Sequence, residues 1–99
     1  VTYRIEFSPE ADDHIASLTA RDRATLLDAV GGQLVHEPTV ETGRRKPLRP
    51  NPIAEFRLRV GKLRVYYDVQ EAPERRVLVK AVGLKVRDRV YVGGREVKL

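Results

Sequence analysis

The sequence predicts an α+β fold: a two-helix hairpin packed on a twisted, mainly antiparallel four-stranded sheet, with a small hairpin at the C-terminal end. Three observations carry this. An alternating apolar segment opens the chain, two segments of helical periodicity follow, and the remaining apolar residues fall in alternating runs separated by glycine turns. Helices grouped ahead of a run of strands give the element order of α+β proteins. Ninety-nine residues can bury one core and hardly two, so residues 1–99 are expected to form a single domain.

Thr2–Phe7 alternates Tyr3, Ile5 and Phe7 with Thr2, Arg4 and Glu6, the period of a strand with one buried face. Ser8-Pro9-Glu10 then places a capping hydroxyl before a proline at the first helical position, and Ala11, Ile15 and Leu18 follow at helical spacing. Thr19 and Asp22 mark a second helix start, and Leu27, Val30 and Leu34 continue an apolar stripe. Gly31-Gly32 interrupts that stripe; either the last turn frays or a neighbour approaches the backbone there.

From Glu37 to Pro52 apolar periodicity vanishes, which predicts a long surface loop. Ala54–Val60 and Leu63–Val69 alternate on either side of Gly61-Lys62, and glycine at the first turn position suits a two-residue type II′ hairpin. Val77–Val82 supplies a further strand, and Val90–Val97 folds back around Gly93-Gly94.

Composition narrows the function. The chain has no cysteine, which excludes disulfides, thiolate catalysis and cysteine zinc sites. No apolar run is long enough to span a bilayer and no leader is visible at Val1–Phe7, so a cytoplasmic protein without membrane contact is expected. His14 and His36 lack metal-ligand spacing and are expected at the surface. Ser8 reads as a cap, which leaves Ser17 and no serine-hydrolase arrangement. Neither metal nor cofactor is expected.

What remains is basic. Arg44, Arg45, Lys46, Arg49, Arg57, Arg59, Lys62 and Arg64 stand against Glu55 alone, a stretch of net +7 in a chain of net +5, so the remainder is net −2. Such asymmetry points to a polyanionic partner. A two-residue turn at Gly61-Lys62 sharpens the point by placing Val60 opposite Leu63, Arg59 opposite Arg64, and Arg57 opposite Tyr66. Like charges side by side on a strand pair are destabilising and call for a counter-charge. Glu55 or Asp68 could supply it within the protein. A bound phosphate is the alternative, since guanidinium groups match its oxygens bidentately and stabilise added charge in a phosphoryl transition state. Tyr91, taken from the residues alone, reads as a core ring.

The segments "TYRIEFSPEA", "RKPLRPNP", "FRLRVGKLRVYYDV" and "KAVGLKVRDRVY" resemble the RelE/ParE toxin superfamily of bacterial toxin–antitoxin systems along nearly the whole chain. The most specific piece is "RLRVGKLRVYYDV", an Arg-x-Arg strand, a glycine turn and an Arg-x-x-Tyr strand. The resemblance implies a ribosome-dependent endoribonuclease that cuts mRNA in the ribosomal A site and is held inactive by a cognate antitoxin. Operator DNA would be reached only through that antitoxin.

By the same resemblance Arg57, Arg64, Lys85 and Tyr91 fall where RelE-like nucleases carry catalytic basic residues and a tyrosine, with Arg59 beside them. The implied chemistry is metal-independent attack of a 2′-hydroxyl on the adjacent phosphate. Tyr91 or Lys46 would stand near the 2′-hydroxyl, Arg57, Arg59 and Arg64 around the phosphate, and Lys85 near the leaving group. Arg44, Arg45, Lys46, Arg49 and Lys62 would bind RNA.

Two departures stand out. "GLK" replaces the Gly-His-Arg or Gly-Lys-Arg of many relatives, and Lys46 occupies the place before "PL" where some carry a carboxylate. The competing readings are a ParE-like inhibitor of DNA gyrase and a toxin-derived binding module without activity.

Overall fold

The computed structural model describes Val1–Leu99. Strand β1 (Arg4–Phe7) leads into α1 (Pro9–Ala16) and α2 (Ala20–Leu34). Six strands follow: β2 (Arg45–Pro47), β3 (Phe56–Val60), β4 (Leu63–Gln70), β5 (Arg76–Val86), β6 (Arg89–Val92) and β7 (Arg95–Val97). One sheet holds all seven in the order β2-β3-β4-β5-β6-β7, while β1 runs parallel to the first part of β5 and the other pairs are antiparallel.

The helices start where the capping residues predict. Ser8 Oγ accepts from the Ala11 amide at 3.1 Å and Thr19 Oγ1 from the Asp22 amide at 3.1 Å. The buried stripe of α2 is Leu26, Val30 and Leu34 rather than Leu27, Val30 and Leu34; Leu27 is exposed. Residues four apart share a face as well as residues three apart do, and Leu26 completes the better-centred i, i+4, i+8 row. Gly31 and Gly32 lie on the solvent side with nothing close to either, and the helix continues through them to Leu34.

The β3–β4 hairpin has the predicted register, Val60 opposite Leu63, Arg59 opposite Arg64 and Arg57 opposite Tyr66, with Gly61 at φ +57°. The sheet is wider than the four strands read from the sequence. Strand β5 runs on past Val82 to Val86, and this extension pairs with β6, so the C-terminal hairpin continues the sheet. Within the predicted loop, Arg45–Pro47 forms an edge strand on β3. Three residues without apolar alternation carry no periodic signal, and a terminal proline is tolerated at an edge.

One face of the sheet receives the helices. Ala11, Ile15, Leu26, Val30 and Leu34 pack there on Leu58, Leu63, Val65, Tyr67, Val77, Val79 and Val82. Each large aliphatic side chain buried in this way stabilises by roughly 1.5–3 kcal/mol. The Tyr67 ring stacks on Phe56 at 5.5 Å between centroids, and its hydroxyl donates to the Pro38 carbonyl at 2.6 Å, tying the chain after α2 to the core.

The face of β5 changes along its length. Tyr66 pairs with Ala81 and Tyr67 with Val79, so Lys80 is an extra residue, a β-bulge. Val77 and Val79 before it point into the core, as does Val82 after it, while Ala81 belongs to a small second cluster on the opposite face. Residues of α1 hold the bulge. The Ser8 amide donates to the Val79 carbonyl at 2.9 Å, Ser8 Oγ donates to the Lys80 carbonyl at 2.9 Å, and His14 Nδ1 accepts from the Val82 amide at 3.1 Å. His14, expected at the surface, is therefore half-buried and structural.

Candidate functional site

The face without helices carries the basic residues. Lys46, Arg57 and Tyr66 lie directly opposite one another across β2, β3 and β4, and Ala81 of β5 follows in the same row. The neighbouring row runs Arg59, Arg64, Gly83 and Val92. Long cationic side chains on three strands thus meet small residues on the fourth, which makes the surface concave. A Cβ on Gly83 would come within 3.0 Å of Val90, 3.1 Å of Val92 and 3.3 Å of Tyr66 Cε2, so glycine there is what lets the tyrosine ring and the hairpin close over β5.

The result is a cavity of about 230 Å³ lined by Lys46, Arg57, Arg64 and Tyr66, with Leu48, Val90 and Val97 among the apolar walls. Arg89, Lys98, Asp88 and Glu96 stand around it as well, and Arg89 takes up Glu96 in an ion pair at 3.6 Å.

The predicted counter-charge for the arginine pair is not a carboxylate. No ion pair involves Arg57, Arg59 or Arg64. Asp68 accepts from the Glu55 amide at 2.8 Å and Glu55 from the Val69 amide at 3.2 Å, so both acidic candidates serve the backbone. Repulsion is relieved by divergence. Arg64 folds back so that Nη1 donates to the carbonyls of Gly61 and Leu63 at 2.7 and 2.9 Å, and Arg59 reaches over the sheet edge to the Gly43 carbonyl at 3.0 Å. Carbonyl dipoles orient these guanidinium groups without neutralising them. Arg57 Nε is buried with no acceptor at all.

The pKa shifts record the same crowding. Burial lowers that of Arg57, helped by Arg59, and burial lowers that of Arg64, helped by Arg57. Burial raises the Tyr66 phenol, against the pull of Arg64 and Arg57.

The sequence-predicted residues separate into groups. Lys46, Arg57 and Arg64 converge in the cavity. Arg59 and Arg44 line a groove beside α2, beyond the sheet edge. Arg49 lies on the exposed 48–55 loop, and Lys62 at the hairpin tip pairs with Asp22 at 3.2 Å. Lys85 shares the basic face through its pairing with Val90 but is exposed and outside the cavity lining.

Two expected residues stand elsewhere. Arg45 is buried against the core face, opposite Leu58, where Nη1 donates to the Gln33 carbonyl in the last turn of α2. A cation at a helix C-terminus complements the macrodipole, and Arg45 Nε is buried there with no acceptor. Tyr91 pairs with Leu84 and lines a separate cleft with His14 and Leu18 on the helix side, so the sheet lies between it and the arginines.

Tyr66, Arg89 and Lys98 were not among the expected site residues. Tyr66 had a legible signal: alternation of Leu63, Val65, Tyr67 and Val69 into the core leaves Tyr66 beside Arg64. No three His, Asp or Glu side chains converge as metal ligands.

No protein-family model matches the sequence, and no curated protein matches it. Among solved structures, a chain in the crystal structure of the toxin–antitoxin complex RelBE2 from Mycobacterium tuberculosis superposes with a TM-score of 0.72 at 26% identity. The match covers 86% of this chain and 100% of that one. Sheet order, two-helix layer and this solved neighbour agree with the sequence resemblance, and the fold of the chain is RelE-like.

Proposed function

We propose that the chain is the toxin of a toxin–antitoxin system and cuts mRNA in the ribosomal A site through its basic cavity. The observation that carries this reading is the Arg57–Arg64 pair, unneutralised by any carboxylate, in a concave site shared with Lys46. A phosphodiester supplies the missing negative charge, and its transition state supplies more. Cations held in place before the reaction favour the transition state, because no reorganisation is needed as charge develops.

In this mechanism the 2′-oxygen of the mRNA attacks the adjacent phosphorus. Arg57 and Arg64 stabilise the pentavalent phosphate, Lys46 stands next to Arg57 across the strand pair near the 2′-oxygen, and the 2′ proton leaves to water. Arg44 and Arg59 along the sheet edge, with Arg49 on its loop, extend the basic surface for flanking phosphates. The ribosome supplies the substrate in an extended, held form. This reading gives Tyr91 no step, since it lines a cleft on the other side of the sheet.

The solved neighbour is a toxin–antitoxin complex, which supports an antitoxin as the partner that silences this chain. An acidic segment fits the unneutralised face. Operator DNA is then met only through the antitoxin, and the site of action is the cytoplasm.

The test is to add the purified protein to programmed ribosomes and map mRNA 5′ ends, with naked RNA and a gyrase supercoiling assay alongside. Cuts confined to A-site codons in the presence of ribosomes are expected. Intact mRNA with inhibited gyrase would transfer the chain to ParE-like activity, and silence in both would leave a binding module.

A further inference from the structure

The proposed cleavage leaves one atom unserved. The departing 5′-oxygen needs a proton, and neither Tyr91, behind the sheet, nor Lys85, outside the cavity lining, is placed to give it. Arg57 and Arg64 hold their protons too firmly to donate them.

Tyr66 is the remaining group. The residue as a whole is 2% exposed, its ring packed over Gly83 and fixed between Arg57 across the strand pair and Arg64 two residues back on the same face. Its hydroxyl is different. Tyr66 lines the cavity, and its hydroxyl makes no hydrogen bond to the protein. The adjacent Tyr67 hydroxyl is satisfied by Pro38. A rigid ring that brings an unused hydroxyl to a cationic cavity resembles a positioned reagent more than a packing residue. A phenol is protonated at neutral pH and so enters as the donor; burial raises it further, against the pull of Arg64 and Arg57 that favours the phenolate.

We propose that Tyr66 is the general acid of the reaction. This rests on the cleavage reading above. The 2′-oxygen forms a bond to phosphorus, and the bond from phosphorus to the 5′-oxygen breaks with its electron pair left on that oxygen. The Tyr66 proton moves onto it. The products are a 2′,3′-cyclic phosphate and a free 5′-hydroxyl. The phenolate lies between two guanidinium groups and is reprotonated from water.

The test compares wild type with Tyr66→Phe on ribosomes whose A-site codon carries either the ordinary 5′-oxygen linkage or a bridging 5′-sulfur linkage. A thiolate leaves without protonation. Tyr66→Phe should slow cleavage of the oxygen linkage by about 100-fold, the lower end of what general acids contribute, and cleave the sulfur linkage at the wild-type rate. Using one variant on both linkages cancels any loss of folded protein. Equal rates for variant and wild type on oxygen, or equal loss on both linkages, would overturn the assignment and leave the cleavage reading intact. A wild type inactive on both linkages would instead remove the cleavage reading, and this inference with it.

Discussion

Tyr66 and Tyr67 are adjacent in the chain and opposite in situation, one on each face of the sheet. On the helix face the Tyr67 hydroxyl bonds to Pro38 and Arg45 Nη1 to the end of α2, although Arg45 Nε is left without an acceptor. On the other face the polar groups are held but not consumed. Arg64 is steered by carbonyls, Arg57 Nε has no acceptor, and the Tyr66 hydroxyl has no partner. Buried polar groups are ordinarily satisfied, and of the two that are not, Arg57 Nε lies on the basic face and Arg45 Nε on the helix face. What separates the faces is composition: the helix face is packed with apolar side chains, while Lys46, Arg57 and Arg64 gather on the other.

This contrast breaks most sharply at Arg64. Arg64→Ala should reduce ribosome-dependent cleavage by about 100- to 1,000-fold, the scale for one preorganised transition-state donor. The protein should still melt cooperatively, because Arg64 lies on the face away from the packed core and loses only its own carbonyl contacts. Loss of activity through unfolding would assign Arg64 to the fold instead.

The helix face should answer in stability alone. Leu26→Ala removes a fully buried side chain and should cost about 2–5 kcal/mol in denaturant unfolding, while Leu27→Ala, one position away on the exposed side, should stay within about 0.5 kcal/mol. Both should keep wild-type cleavage per folded molecule. Equal costs would mean that the packed stripe of α2 is misassigned.

A smaller effect separates the two tyrosines. Tyr67→Phe leaves the Pro38 carbonyl without its donor and should cost about 1–3 kcal/mol, with cleavage retained. Burial pushes the Tyr67 phenol from 10.0 up to about 12. Below pH 10 the phenol is neutral whether folded or unfolded. Between about pH 10 and pH 12 it ionises in the unfolded chain first, so the folded state loses stability as pH rises. Unfolding measured across that window should show a shallower alkaline decline in Tyr67→Phe than in wild type. An unchanged slope would mean that Tyr67 is not the group titrating.

Much of the basic face was legible in the chain. The Gly61 turn and the alternation on either side of it specify the β3–β4 register, and with it the meeting of Arg57, Arg59, Arg64 and Tyr66. The bulge left a trace as well, because the apolar phase slips between Val77-Val79 and Val82-Leu84. Other features had no local sign. Arg45 looks like its neighbours Arg44 and Lys46, and only the pleat of an edge strand next to α2 turns it inward. Tyr91 sits in a run matching the family's tyrosine, yet its pairing with Leu84 directs it to the helix side.

By itself the sequence determined what depends on near neighbours: the helix caps at Ser8 and Thr19, the two-residue turn, the strand periods and the concentration of positive charge. Those features arise from hydrogen bonds and pairings within a few residues, which composition and spacing encode directly. The tertiary structure alone decided which face each residue of β5 presents, since the Lys80 bulge is held by Ser8 and His14 from far away in the chain. It also decided which cations remain open to a ligand. That outcome depends on whether a carbonyl or carboxylate from another element arrives within reach, and side-chain type carries no information about it.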